Sequence, residues 1–248
     1  MKTSNKILSG AVGLVVLCML LMLVYMRTNL RTQELKEDTS EWQTQIRNVE
    51  AFQKIAVHTA ANVYISQGET KFEMKGTENM LANTEIFIKE GKLVIKNKDD
   101  NSHNSRSNKL SLYITTDSLV NVQHSGVGSI ESSTALTFPD WSVNTSGAND
   151  ANLQLECTNF RYMQSGVGSV NIMGKAESVS FSNSGAGSMD ASECEAKEVR
   201  VQGSGIGSFY VHATEQLNIN LSGAGSVNYK GNPRIQQNVS GIGSVSAM

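Results

Sequence analysis

Hydrophobic patterning divides the chain into three regimes. From Ile7 to Met26 twenty residues run without a charge, and Leu14, Val15, Val16, Leu17, Leu20, Leu21, Leu23 and Val24 leave no polar face. At about 1.5 Å per helical residue the segment reaches about 30 Å, the thickness of a bilayer core. Residues 1–6 read as a short cytoplasmic end, 7–26 as an uncleaved single-pass transmembrane anchor, and 27–49 as a polar juxtamembrane helix or spacer. A cleaved signal peptide has a shorter apolar core and a small-x-small site. Tyr25-Met26-Arg27-Thr28 offers none, and Leu17, not a small residue, precedes Cys18. Lys2 and Lys6 before the segment and Arg27 and Arg31 after it leave its orientation poorly specified. Its place at the start of the chain favours export of the large part.

From Phe52 the period becomes two. Ile55 and Val57, Val63 and Ile65, Phe72 and Met74, Ile86 and Ile88, Leu93 and Ile95, then Leu110, Leu112 and Ile114 alternate with polar residues. Such alternation marks strands with one buried face. Residues 50–122 therefore form a first β block, with a short helical turn over Asn79–Ala82. Lys96 to Lys109 holds no apolar residue and reads as an exposed loop.

The third regime, residues 123–248, repeats. The motif Ser-Gly-x-Gly-Ser stands at Ser125-Gly126-Val127-Gly128-Ser129, Ser165-Gly166-Val167-Gly168-Ser169 and Ser184-Gly185-Ala186-Gly187-Ser188. It returns at Ser204-Gly205-Ile206-Gly207-Ser208, Ser222-Gly223-Ala224-Gly225-Ser226 and Ser240-Gly241-Ile242-Gly243-Ser244, and a degenerate copy begins at Ser146. Starts lie 21, 19, 19, 20, 18 and 18 residues apart, a period that means a repeat architecture. Two glycines and two serines per repeat would break helices. Strands fit: Val179-Ser180-Phe181 or Leu217-Asn218-Ile219 precedes a motif, and Val170-Asn171-Ile172 or Phe209-Tyr210-Val211 follows one. Each repeat thus supplies two strands and two bends, with Gly174-Lys175 and Lys230-Gly231-Asn232-Pro233 as the second bend. Coils of this kind stack at about 4.8 Å into a β-solenoid.

The middle motif residues run Val127, Ala148, Val167, Ala186, Ile206, Ala224, Ile242. Large and small alternate, as an interdigitating interior row would, or as the two edges of a coil holding two repeats would. Cys157 and Cys194 sit at similar places two repeats apart. One repeat per coil separates them by about 9.6 Å of stacking height, too far for a disulfide; two per coil would let them pair. The period favours one repeat per coil and two free, packed thiols.

Composition adds little chemistry. A net charge of −2 gives no basic surface for nucleic acid. The repeated motif lacks the Lys-Ser/Thr of a phosphate loop and the third glycine of a dinucleotide turn. It also lacks the carboxylates of a calcium roll, Asp150 excepted. His58, His103, His124 and His212 are scattered, and no Cys/His spacing suggests a metal. Asp190, Glu193 and Glu195 form one acidic group, read as a solvated face. Asn171, Asp190, Asn228 and the motif serines recur at outward places, where rows of them bond coil to coil or bind a regular polymer. No catalytic, cofactor-binding or metal-binding residue is assigned.

Phe52-x-x-Ile55-x-Val57, Val63-Tyr64-Ile65-x-Gln67-Gly68, Gly91-Lys92-Leu93-Val94-Ile95 and Leu112-x-Ile114, completed by the repeats, resemble the bacterial family labelled "putative autotransporter adhesin, head GIN domain". The resemblance implies an exported, right-handed β-helical fold and brings no catalytic residues. The expected architecture is all-β, a right-handed parallel β-helix or β-solenoid with Ser-Gly-x-Gly-Ser repeats, preceded by one N-terminal transmembrane helix. The expected role is that of a membrane-tethered, adhesin-like module of the cell envelope without enzymatic activity. Its partners would be the membrane, through residues 7–26, and a protein or glycan; nucleic acid is not expected. A structural protein that self-associates into homo-oligomers through solenoid ends is the alternative, and a β-helical carbohydrate-active enzyme a distant third.

Overall fold

A computed structural model describes residues 41–98 and 109–248. The expected cytoplasmic end, anchor and most of the spacer lie outside the described residues. Among those described, no helix is long and apolar enough to cross a membrane. The strands in chain order are β1 (Gln43–Arg47), β2 (Lys54–His58), β3 (Ala61–Gln67), β4 (Lys71–Gly76), β5 (Thr84–Lys89), β6 (Lys92–Asn97), β7 (Leu110–Thr116), β8 (Asn121–His124) and β9 (Val127–Ser132). There follow β10 (Asp140–Thr145), β11 (Ala148–Gln164), β12 (Val170–Asn183), β13 (Met189–Gly203), β14 (Ile206–Leu221), β15 (Ala224–Lys230), β16 (Arg234–Val239) and β17 (Ile242–Ala247). One short helix, α1 (Glu78–Ala82), interrupts them; Thr77 caps it by accepting from the Met80 N–H, and Met80 and Leu81 are buried.

The repeats stack as a solenoid, one per coil. Ala151, Val170, Met189, Phe209 and Val227 are successive Cα partners of parallel strands, 18 to 20 residues apart, and Val245 follows in β17. Those from Ala151 to Val227 are buried, so the alternating apolar positions line up in one interior column. Each fully buried Val or Phe contributes about 1.5–3 kcal/mol, and no single coil could shield it. β11 to β14 are long because each runs round the second bend: its first half belongs to one coil and its second half to the next. Gly174 lies at that bend with φ 117°, a conformation open to glycine. Every coil therefore gives one strand to a stack that precedes the motif and one to a stack that follows it.

The first β block enters the same stack, but out of chain order. β2 pairs in parallel with both β6 and β8, and β3 with both β7 and β9. The coil of β2 and β3 is thus held between the later coil β6/β7 and the coil β8/β9. Antiparallel strands close this end: β5 on β6, β4 on β7, and β1 on β4. The last pairing corrects one expectation. Gln43–Arg47 lie within the segment read as helix or spacer, yet they pair with Phe72–Gly76 as an edge strand. The short apolar spacing there gave no period-two signal because four of the five residues are exposed.

Candidate binding surfaces

The seven motifs form one stacked corner. Middle residues pair in parallel from Val127 through Ala148, Val167, Ala186, Ile206 and Ala224 to Ile242. At this corner one backbone lies directly on the next. A Cβ added at Gly166, Gly185, Gly205, Gly223 or Gly241 would fall on the carbonyl oxygen of the first glycine one coil back. A Cβ at Gly168, Gly187, Gly207, Gly225 or Gly243 would likewise fall on the carbonyl of Asn149, Gly168, Gly187, Gly207 or Gly225. Gly126 and Gly128 would meet Thr59 and Ala61 in the same way. The glycines are there for close approach, and at Gly168, Gly187 and Gly207 also for φ of 152–154°.

The middle residues do not line the interior or the edges of a double coil. They face solvent: Val127 is 46% exposed, Val167 60%, Ile206 66% and Ile242 85%. The inward place next to them is taken by the second glycine, which sits where strand alternation puts a core residue. The emptied space is filled from the residue just before the motif. Gln164 Nε2 donates to the Gly168 carbonyl (2.9 Å) and Asn183 Nδ2 to that of Gly187 (3.2 Å). In the degenerate copy the filling is reversed: Thr145 is short, and Asn149 donates to the carbonyls of Ser146 (2.8 Å) and Gly126 (3.1 Å). His124, Thr145, Gln164 and Asn183 thus form a buried polar column against the corner. The signal for it was present in the sequence, since each directly precedes a motif serine.

Burial sets the titration of His124 behind this corner and of the two thiols near the second bend. His124 is pushed down to about 4, chiefly by burial, with its Nε2–H donating to the Thr59 carbonyl at 3.3 Å. Burial pushes the Cys157 thiol up to about 11 and that of Cys194 up to about 12. Both cysteines are free. Cys194 shares a column with Gly174 and Leu155, whereas Cys157 aligns with Ala176 and Ala196, so they lie two coils and two residue positions apart. Among the described residues no group of His, Cys, Asp and Glu could hold a metal ion. Asp190, Glu193 and Glu195 are exposed along β13.

The two outer faces differ. On the stack that follows the motif, polar ladders bond coil to coil. Asn171 donates to Asn152 (3.2 Å), Ser226 to Ser208 (3.0 Å), Ser246 to Asn228 (2.9 Å), and the Ser169 N–H to Asp150 (2.8 Å). Tyr64 and Tyr113 stack there with centroids 4.8 Å apart, beneath the Lys75 ammonium.

The stack that precedes the motif carries such bonds at its first coils, from Asn121 to Ser142 (2.9 Å) and from Asn159 to Asp140, and is hollowed as well. Shallow hollows of about 600, 290 and 350 Å³ follow one another along its outer face. The first two share Arg161, Ser178 and Ser180, and the last two share Arg200 and Asn218. A fourth, of about 400 Å³, joins the first through Asn144 and Met163. Trp141 and Phe160, packed 4.8 Å apart in the core, floor the largest. Ser178, Ser180 and Ser182 give β12 a low outer surface between the taller Arg161 and Met163 of β11 and Arg200 and Gln202 of β13. Sequence reasoning placed serines and asparagines outward but did not find this trough, because depth depends on which residues neighbouring coils set side by side.

The family described as "Putative auto-transporter adhesin, head GIN domain" matches residues 51–233. Among solved structures, a "putative adhesin" from Bacteroides fragilis is 25% identical, with a TM-score of 0.80 over 85% of this chain and 98% of that one. A "putative adhesin" from Parabacteroides merdae is 21% identical, with a TM-score of 0.65 over 85% and 97%. A "putative lipid binding protein" from Parabacteroides distasonis is 18% identical, with a TM-score of 0.65 over 85% and 98%. The last two show the shared fold alone. No curated protein matches the chain.

Proposed function

The chain belongs to the head GIN domain family of "putative auto-transporter adhesins", and from that premise we propose that it is a non-catalytic binding module of the bacterial cell envelope. It presents a rigid solenoid face to a protein or glycan partner. Residues 7–26 tether it to the membrane and leave the solenoid exported. The observation that carries the reading is the trough along the stack that precedes the motif, continuous from β8 to β16 through shared lining residues. A stack of this kind is held by strand bonds over its whole length, so the surface is preorganised and binding loses little conformational entropy. The buried thiols, held protonated near neutral pH, supply no activated nucleophile to that face.

The test has two arms. The solenoid would lie in the periplasm or at the cell exterior, so protease added to intact cells, or to cells with a permeabilised outer membrane, should cleave it. The full chain in neutral detergent should retain at least one component from an envelope extract or a glycan array. Protection from protease in both preparations would refute the location, and absence of any retained component would refute the binding role.

A second reading, self-association through the end of the stack, has one observation in its favour. In the last coil Val239 is 37% exposed, and Ile235 and Val245 are only partly covered, although they continue interior columns. Sedimentation of the full chain in detergent over a wide concentration range separates this reading from the first: a concentration-independent monomer excludes it.

A further inference from the structure

Arg161 and Arg200 point outward from β11 and β13 in one column, with Ser180 of β12 between them. Adjacent parallel strands lie about 4.8 Å apart, so the two positions are separated by about 9.6 Å along the stack. Both arginines line the same hollow, with Ser178, Ser180, Glu198 and Asn218. Neither forms an ion pair or a hydrogen bond among the described residues, where the ion pairs are Lys75–Glu73, Lys96–Glu85 and Lys197–Glu177. With Glu198 counted, the hollow keeps an excess positive charge on a chain whose net charge is −2. An unpaired arginine is a fork of donors shaped for a carboxylate.

We propose that this hollow is a binding site for an acidic polysaccharide lying along the solenoid axis, its carboxylates taken by Arg161 and Arg200. The spacing of the two arginines is roughly the length of two sugar units, which suits a polymer with a uronate at every second sugar. The column continues with Ser142 and Asn121, bonded to each other at 2.9 Å, on one side and with Asn218, which accepts from Gln216, and Gln236 on the other; the donors and acceptors these leave over can hydrogen-bond sugar hydroxyls in the adjoining hollows. The chemistry of the trough argues against other anionic partners. A protein interface needs aromatic or large apolar anchors, and the exposed large apolar side chains lining these hollows are Val120 and Met163. An anionic membrane surface calls for a cluster of basic residues, whereas here two arginines alternate with Ser180, Glu198 and Asp140.

The site rests on the reading of the chain as a binding module, and the experiment keeps the two apart. The full chain in neutral detergent is titrated with hyaluronan, which carries a carboxylate on every second sugar, and in parallel with dextran sulfate, neutral dextran and vesicles containing anionic lipid. Hyaluronan should bind, and bind more weakly as salt is raised. R161Q/R200Q should weaken it at least about tenfold, with an unchanged melting temperature because both side chains are outward and unpaired. K89Q/K230Q, which removes the same charge elsewhere, should change affinity less than twofold. E198Q should tighten it. Equal binding of hyaluronan by R161Q/R200Q and the unaltered chain would overturn the proposal, as would equal binding of neutral dextran. Preference for dextran sulfate or vesicles would overturn the uronate assignment. If hyaluronan fails while an envelope component is retained, the site falls and the binding module stands; if nothing is retained, both fall.

Discussion

The coil of β2 and β3 and the coil of β8 and β9 lie one upon the other, yet only the second carries the motif. Their strands pair in the same register, Ala61 on Gly128 and Val57 on His124. The difference lies in what sits beneath each corner. Below Gly126 and Gly128 lie the carbonyls of Thr59 and Ala61, and a side chain would collide with them. Below Thr59 stands Asn97, the last residue of β6, which accepts a hydrogen bond from the Thr59 hydroxyl at 2.7 Å, and below Ala61 stands Leu110, the first residue of β7. Twelve residues separate β6 from β7 in the chain, against two between β8 and β9, so the two-residue corner of the motif is not repeated under Thr59 and Ala61, which keep their side chains. The motif is therefore a rule about stacking one sharp corner on another, and the solenoid itself does not need it.

That contrast can be broken most severely at Gly187. Replacing it with alanine puts a Cβ against the Gly168 carbonyl at a φ of 154°. Strain and overpacking together should cost about 4 kcal/mol, read from the shift in the urea midpoint. A loss below about 1 kcal/mol would mean that the corners are not stacked in contact.

The join between the two regions titrates. The imidazole of His124, buried with folded pKa about 4 against an ordinary 6.5, binds a proton more readily in the unfolded chain. Stability from this group is full above pH 6.5 and is lost as pH falls toward 4, by about 3 kcal/mol in all. Urea titrations at pH 7 and pH 4 should show that loss beyond the one in H124T, whose new residue is the one standing at the same place in the next coil, Thr145. Parallel pH profiles for the two proteins would contradict the buried, neutral histidine.

The smallest effect is expected at the outward residues of the motif. V167S and I206S remove solvent-facing side chains and should shift stability by less than about 0.5 kcal/mol. A loss of 2 kcal/mol at either would restore them to the interior.

Val167 also shows where reading the sequence stops. Period-two alternation fixes which side chains share a face along a strand, and it placed Val170, Met189, Phe209 and Val227 in one buried column. It carries no parity across a corner. Whether Val167 points in or out depends on how many residues the corner uses, and the second glycine hides the answer by occupying an inward place without a side chain. The order of the first coils was hidden for a different reason. β2, β6 and β8 share an alternating pattern but no repeat, so nothing local says that the earliest strand pairs between the two later ones. The trough was beyond sequence as well, because Arg161, Ser180 and Arg200 become neighbours only through the register of three strands. The outward row holding Asn171, Asp190 and Asn228 was legible, since repeat spacing alone aligns them.

The central claim is that one repeat makes one coil, and a pair of engineered cysteines tests it directly. In a chain with Cys18, Cys157 and Cys194 replaced by alanine, N171C/D190C places thiols on Cα partners of adjacent strands, about 4.8 Å apart and within disulfide reach. N152C/D190C places them two coils apart, at about 9.6 Å. On mild oxidation the account predicts a disulfide in the first protein and free thiols in the second; closure of the second with the first left open would contradict it.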